Sequence, residues 1–267
     1  MSSAYDVVAF RPERNATADT FRWARKRLSV ASLVELDVTG ARAAIRAYRN
    51  RTGKGLSFTA WVVSCVARAA AEHPRVHALR RGSGELVVFH EVDVAVLIER
   101  AMGSGAVRET LPMPYVVRNA HQKSPAEIHE EIRGAQTSIL QTGSAALGTA
   151  PDPRLQSLFF RLPGWVRDLV FWRWLFRSPA RVKRTMGTVV VTATGMAAPG
   201  VFAWGIPVSM HPLAIGVGGI TSRSSTAGPV EVLALTVVFD HAVTDGAPVA
   251  RFVQRLQQLI THTETLA

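Results

Sequence analysis

Cysteine is almost absent. Cys65 is the only one in 267 residues, which excludes an intrachain disulfide and, by itself, a cysteine-based metal cluster. It lies in the apolar run Ala60-Trp-Val-Val-Ser-Cys-Val-Ala-Arg68 and reads as a core residue. Long uncharged apolar runs are also lacking. No stretch of about 18 such residues occurs, which argues against a membrane-spanning helix. The start, Met1-Ser-Ser-Ala-Tyr-Asp6, lacks the basic-then-apolar pattern of a secretory signal, so a cytoplasmic location is expected. Zinc-finger spacing and an aromatic RNA-binding signature are missing too, and no nucleic-acid partner is expected.

What is present describes a globular chain: 48% hydrophobic and 19% charged residues, with length for a sizeable core. The net charge of +11 is unevenly placed. Between Arg154 and Arg184 eight basic residues face a single acid, Asp168, so +7 of the total lies in that stretch. Within it, residues 158–177 hold tryptophans and phenylalanines punctuated by Arg161, Arg167, Arg173 and Arg177. The segment is too short to span a bilayer. It suits an interfacial helix making membrane-surface contact, a helix packed on a partner subunit, or a buried helix with snorkelling arginines.

Helix and strand patterns alternate without an internal repeat, and one α/β domain over 1–267 is the economical reading. A short basic helix is predicted over 18–27, then a half-buried strand over 28–38 and a helix from Thr39 to about Arg51. Ser57 can cap a long apolar helix that ends near His73-Pro74. A hairpin is predicted around Gly82-Ser-Gly84, with strands over 92–98 and 111–117. Ser124, Pro125 and Glu127 form the start signal of another helix. Strands are expected at about 187–194, 213–217 and 230–240, and a closing helix over 247–260.

The last strand runs into Asp240-His241-Ala-Val-Thr-Asp245-Gly246 and turns at once into that helix. An imidazole at such a boundary can be held rigidly while one ring nitrogen faces a cavity, and histidine exchanges protons readily near neutral pH. Gly246 would supply freedom for the sharp turn and Asp245 a charge-assisted bond across the loop. A histidine beside a turn is more often structural than catalytic, so the motif depends on its context.

That context is a series of motifs: Val34-Glu-Leu-Asp-Val-Thr39, Gly84-Glu-Leu-Val-Val88, Leu111-Pro-Met-Pro-Tyr-Val-Val-Arg-Asn-Ala120, Gly187-Thr-Val-Val-Val-Thr-Ala-Thr-Gly-Met196, Pro212-Leu-Ala-Ile-Gly-Val-Gly-Gly-Ile220, and the histidine turn. In this order, over about 18–262, the chain resembles the catalytic domain of the dihydrolipoamide acyltransferases, core subunits of 2-oxoacid dehydrogenase complexes. It is also similar to the chloramphenicol acetyltransferases that share their fold. The resemblance implies an α/β, chloramphenicol acetyltransferase-like mixed-sheet sandwich flanked by helices and forming trimers, with each active site between neighbouring subunits. It implies an acyl-CoA-dependent acyltransferase that uses coenzyme A as co-substrate and a small-molecule or carrier-bound thiol or hydroxyl as acceptor. His241 would be the general base, Thr192 of the adjacent chain the oxyanion donor, and Asp245 a loop brace paired with an arginine, Arg22 or Arg25 being candidates. The alternative is a non-catalytic trimeric scaffold or partner subunit of a larger complex.

The chain departs from that pattern in places. Ala242 follows the histidine, as in the chloramphenicol enzymes, while Asp240 precedes it, as in the acyltransferase cores. None of the lysines (Lys26, Lys54, Lys123 and Lys183) sits in a lipoyl-type hairpin, so a stand-alone version without a lipoyl domain or covalent lipoate is expected. The stretch at about 154–184 reads as an aromatic and basic insertion.

Overall fold

Strand β1 (Ser29–Asp37) takes one edge of a six-stranded sheet because its alternating apolar residues need cover on one face only. In the computed structural model, which describes residues 5–6, 14–102, 109–137, 158–195, 200–226 and 228–263, the chain begins with helix α1 (Arg14–Ala24). Helices α2 (Thr39–Thr52) and α3 (Phe58–Glu72) follow β1. The small hairpin β2 (Leu79–Arg81) and β3 (Glu85–Val87) stands apart from the main sheet. Strands β4 (Val94–Met102) and β5 (Glu109–Val117) precede α4 (Pro125–Thr137). A helical segment, α5, runs through Gly164–Arg167, a π turn at Asp168–Trp172, and Arg173–Phe176. Helix α6 (Pro179–Met186) leads into β6 (Val189–Ala193), β7 (Leu213–Ser225), β8 (Gly228–Asp240) and helix α7 (Gly246–Thr261).

The sheet order is β1-β8-β7-β6-β4-β5. Strands β4, β6 and β7 are mutually parallel, and the other neighbours are antiparallel. The predicted element order holds, including the mixed sheet with flanking helices. Boundaries differ where pairing extends an element: β7 and β8 lengthen into a long antiparallel ribbon, and α1 starts earlier and stops at Ala24. Local signals are realised as read. Ser57 Oγ accepts from Ala60 N at 3.1 Å, and Ser124 and Glu127 exchange the reciprocal bonds of a capping box at 2.7 and 3.2 Å.

The faces of the sheet differ, and the difference positions the site. One carries the main core, where Leu213, Ile215, Leu233, Leu235 and Val237 pack with Trp61 and Val66 of α3, Ile128 of α4 and Phe252 and Leu256 of α7. Cys65 lies in this core, and burial pushes its thiol up, so the thiolate is withheld from chemistry. The other face is built from small residues, Ala95, Val190, Ala214 and Val238. Over it the backbone of 201–207 passes so closely that a Cβ on Gly216 would lie 2.2 Å from the Gly205 oxygen, and one on Gly218 2.2 Å from the Ala203 oxygen. Glycines alternating along β7 admit this strap.

A satellite core joins α1, α5 and α6 through Ala24, Trp172, Leu175, Val182 and Met186. It is anchored by an ion pair between buried partners. Arg167 clasps Asp19 with bonds of 2.6 and 3.0 Å, and Trp172 Nε1 donates to the same carboxylate at 3.2 Å. Arg167 therefore does not snorkel, unlike the exposed Arg161, Arg173 and Arg177.

Candidate active site

His241 stands just beyond the end of β8. Its backbone N–H donates to the Leu28 carbonyl at 2.8 Å, which fixes the position of its Cα against the residue just before β1. The ring is exposed and lies 5.9 Å from the Phe239 ring, tilted by 33°. A rigid backbone with an accessible imidazole is what a proton-transfer residue requires.

The turn beneath it is organised by Asp240, which is buried. The Asp240 carbonyl accepts from Val243 N at 3.0 Å and Thr244 N at 3.2 Å. Its carboxylate accepts from Ala242 N at 3.1 Å and from Arg27 Nη1 at 2.6 Å. Arg27 in turn donates through Nε to the Met210 carbonyl at 2.5 Å. Burial pulls the Arg27 guanidinium below its ordinary value, and the Asp240 charge acts in the opposite direction.

The arginine-paired acid is thus Asp240, and the partner is Arg27. Asp245 is exposed, with extended backbone (φ −89°, ψ 169°), and precedes α7 without a side-chain capping bond. Of the arginines considered for it, Arg22 lies 3.3 Å from Asp19 instead. Gly246 also plays a smaller part than expected. Its φ is not positive, and a Cβ there would meet nothing within 4 Å, because the bonds to the Asp240 carbonyl make the turn. Sequence reading gave Arg27 and Asp240 no role. Two acids flank the histidine, and the choice between them depends on an arginine 213 positions away.

His211 lies half-buried behind this network. Its ring bonds the Met186 carbonyl at 2.8 Å and Ser209 Oγ at 2.7 Å. Burial, reinforced by the Arg27 charge, pushes His211 down to about 4. His77, buried beside Thr188 Oγ1 at 2.9 Å, is likewise pushed down to about 4, by burial and then the Lys183 charge. Both are neutral in the fold, whereas in the unfolded chain they take up protons near the usual 6.5. The unfolded state binds more protons between those values, so stability is full above about pH 6.5 and falls as pH drops toward 4. The expected loss is about 3 kcal/mol for each histidine at pH 4. Thermal melts from pH 7.5 to 4.5, set on the ordinary histidine range, should show this fall, and a His211→Gln variant should show a shallower acid limb. An identical limb in both proteins would contradict the assignment.

Thr192 lies on β6, paired opposite Gly216 of β7, which is itself opposite Thr236 of β8. Alternation along β6 puts its side chain on the strap-covered face. It is half-buried, and its hydroxyl has no hydrogen-bond partner among the described residues. The register separates it from His241. Because β6 and β8 run in opposite directions, Thr192 is two strand spacings across the sheet and some five residues along β8 from the histidine, roughly 19 Å in all. One chain cannot bring both side chains to one carbonyl.

An open cleft of about 370 Å³ runs between α7 and the β1–β8 edge and is linked to His241 through Phe239, which lines it. Ser32, Val34 and Phe239 line it from the sheet, and Val249, Val253 and Gln254 from the helix. Among the described residues, no group of three or more His, Cys, Asp or Glu is placed to hold a metal ion.

Comparison with known proteins fits this geometry. Residues 2–144 and 184–267 match the family described as 2-oxoacid dehydrogenases acyltransferase (catalytic domain). No match was found among curated proteins. The cubic core of a pyruvate dehydrogenase multienzyme complex is similar at 17% identity and a TM-score of 0.66, over 99% of this chain and 94% of that one. A dihydrolipoamide acetyltransferase from Azotobacter vinelandii, studied for the roles of a serine, a histidine and an asparagine in its catalytic mechanism, is 16% identical, with a TM-score of 0.68 over 99% and 94% of the two chains. A chloramphenicol acetyltransferase is 15% identical, with a TM-score of 0.50 over 97% and 100%. The fold is accordingly chloramphenicol acetyltransferase-like. With a mixed sheet, a histidine held at the end of β8 and a family match over most of its length, the chain belongs to the 2-oxoacid dehydrogenase acyltransferase catalytic-domain family.

Proposed function

We propose that this acyltransferase moves an acyl group between a coenzyme A thioester and a thiol or hydroxyl acceptor, in a site shared by neighbouring copies of the chain. The observation that carries the reading is the separation of His241 from Thr192 within one chain, with a cleft lined by Phe239 and Gly246 on either side of the histidine in sequence. In a closed ring of copies, with trimers as the family-based expectation, His241 of one copy would face Thr192 of the next.

The chemistry then needs few groups. A ring nitrogen of His241 removes the proton from the acceptor as its sulfur or oxygen attacks the thioester carbonyl carbon. The carbonyl oxygen takes up negative charge, and the Thr192 hydroxyl donates a hydrogen bond to it. Collapse breaks the carbon–sulfur bond, and the imidazolium returns its proton to the departing coenzyme A thiolate. Asp240 and Arg27 organise the turn that follows the histidine and touch no reacting atom, so their role is positioning. In the Azotobacter enzyme the asparagine stands as far beyond its histidine as Asp245 stands beyond His241, which leaves Asp245 as a residue at the rim of the site.

Free-thiol release from a series of acyl-coenzyme A chain lengths, with dihydrolipoamide and with hydroxyl or amine acceptors, tests the reading. Thr192→Ala should lower kcat by about 10²-fold, and Thr192→Ser should retain most activity, since it keeps the hydroxyl. Equal activity in Thr192→Ala and the parent would remove Thr192 from the mechanism. No thiol release with any donor would leave the scaffold alternative in its place.

A further inference from the structure

We infer that the outer face of α5 docks onto an anionic phospholipid surface. The inference is independent of the acyl-transfer reading and concerns a segment lying between the stretches matched to the family.

The face is apolar where a water-exposed helix would be polar. Trp165 is 71% exposed, Leu169 57%, Val170 62% and Trp174 48%. The opposite face is already occupied, since Arg167, Trp172 and Leu175 are buried against α1 and α6. The ion pair to Asp19 holds α5 in this orientation, so the exposed apolar side chains cannot turn inward. Isolated exposed apolar residues need no explanation, but a contiguous helical set with two tryptophans marks a contact surface.

Charge identifies the occupant. Arg161, Arg173 and Arg177 are exposed along the same segment. Arg181 stacks over the Trp174 ring at 4.6 Å, and the Arg22 guanidinium lies beside Gly164 at the start of α5. The only acid on α5, Asp168, accepts from Trp23 Nε1 at 2.8 Å and from Arg173 Nε at 3.1 Å. The face thus pairs apolar side chains with a cationic rim and has no unpaired acid. Two copies meeting symmetrically through it would bring like charges together. A bilayer bearing anionic headgroups satisfies both halves: tryptophan and leucine enter the headgroup–acyl boundary while arginines remain among the phosphates. No helix among the described residues is long and apolar enough to cross a membrane, so the contact would lie on the surface.

The test uses the full chain, with vesicles of phosphatidylcholine alone and of phosphatidylcholine mixed with phosphatidylglycerol, scored by co-sedimentation and tryptophan emission. Binding to the anionic vesicles with a blue shift, weakened by salt, is the expected result. The double variant Trp165→Ser, Leu169→Ser should reduce bound protein at least about tenfold without changing thermal unfolding. Arg177→Gln should reduce binding by about fivefold on the anionic vesicles only. Absence of binding to either vesicle would overturn the proposal, as would equal binding by the double variant. A change of oligomer mass in that variant without lipid would reassign the face to contact between copies.

Discussion

Replacing His241 by alanine is expected to lower kcat for acyl transfer by about 10³-fold or more while leaving the thermal midpoint unchanged. The size follows from the role. A positioned general base contributes about 10² to 10⁴ in rate, and among the described residues the chain offers no second imidazole at this turn, since His211 is bonded on both ring nitrogens. The absence of a stability effect follows from the surroundings. The His241 ring is exposed and touches Phe239 by its ring alone, and what anchors the residue is its backbone N–H, which alanine retains. Surface substitutions of this kind stay within about 0.5 kcal/mol. Steady-state thiol release together with calorimetry would read both quantities. A large fall in the thermal midpoint would show that the histidine serves the fold instead.

Asp240→Ala should have the opposite profile, damaging stability and activity together. It leaves the Arg27 guanidinium, largely buried between Met210 and the turn, without its counter-charge, and removes the acceptor of the Ala242 N–H. Breaking a buried pair from one side costs about 3–5 kcal/mol. With the turn loosened, the imidazole loses its fixed approach, and a misplacement near 1 Å costs about 10²-fold in rate. A positioning role is separable from a purely structural one by the pattern in the survivors. Asp240→Asn keeps an acceptor for Ala242 N but not the charge, so it should recover part of the stability, with kcat reduced and KM for the acyl donor little changed. A raised KM at full kcat would place Asp240 in donor binding. Asp245→Ala is the internal contrast: exposed and without a capping bond, it should affect stability far less than Asp240→Ala.

The contrast between those aspartates shows where sequence reading stopped. Interactions within a few residues were legible: the Ser57 cap, the Ser124–Glu127 box and the β2–β3 hairpin follow from local chemistry, and each formed as read. The histidine at the end of β8 was legible too, because strand, turn and amphipathic helix are consecutive. The brace was not, since Asp240 and Asp245 have the same chemistry and only the tertiary position of Arg27 distinguishes them. The strap across β7 was missed for a different reason. Its signal is Gly216 alternating with Gly218, a mark of close backbone approach, yet nothing local says which segment approaches. In the sequence Arg167 is one arginine of a periodic series, and the fold singles it out through Asp19, which lies 148 residues earlier.

Subunit mixing addresses the shared site directly. His241→Ala chains and Thr192→Ala chains, each inactive or nearly so, would be assembled together from equal amounts and assayed against the separate parents. If the histidine of one copy works with the threonine of the next, random assembly restores intact pairs at about one interface in four. The expected activity is then about a quarter of the unsubstituted enzyme's. Activity no greater than the sum of the parents, in mixed oligomers shown to have formed, would contradict a site built between copies.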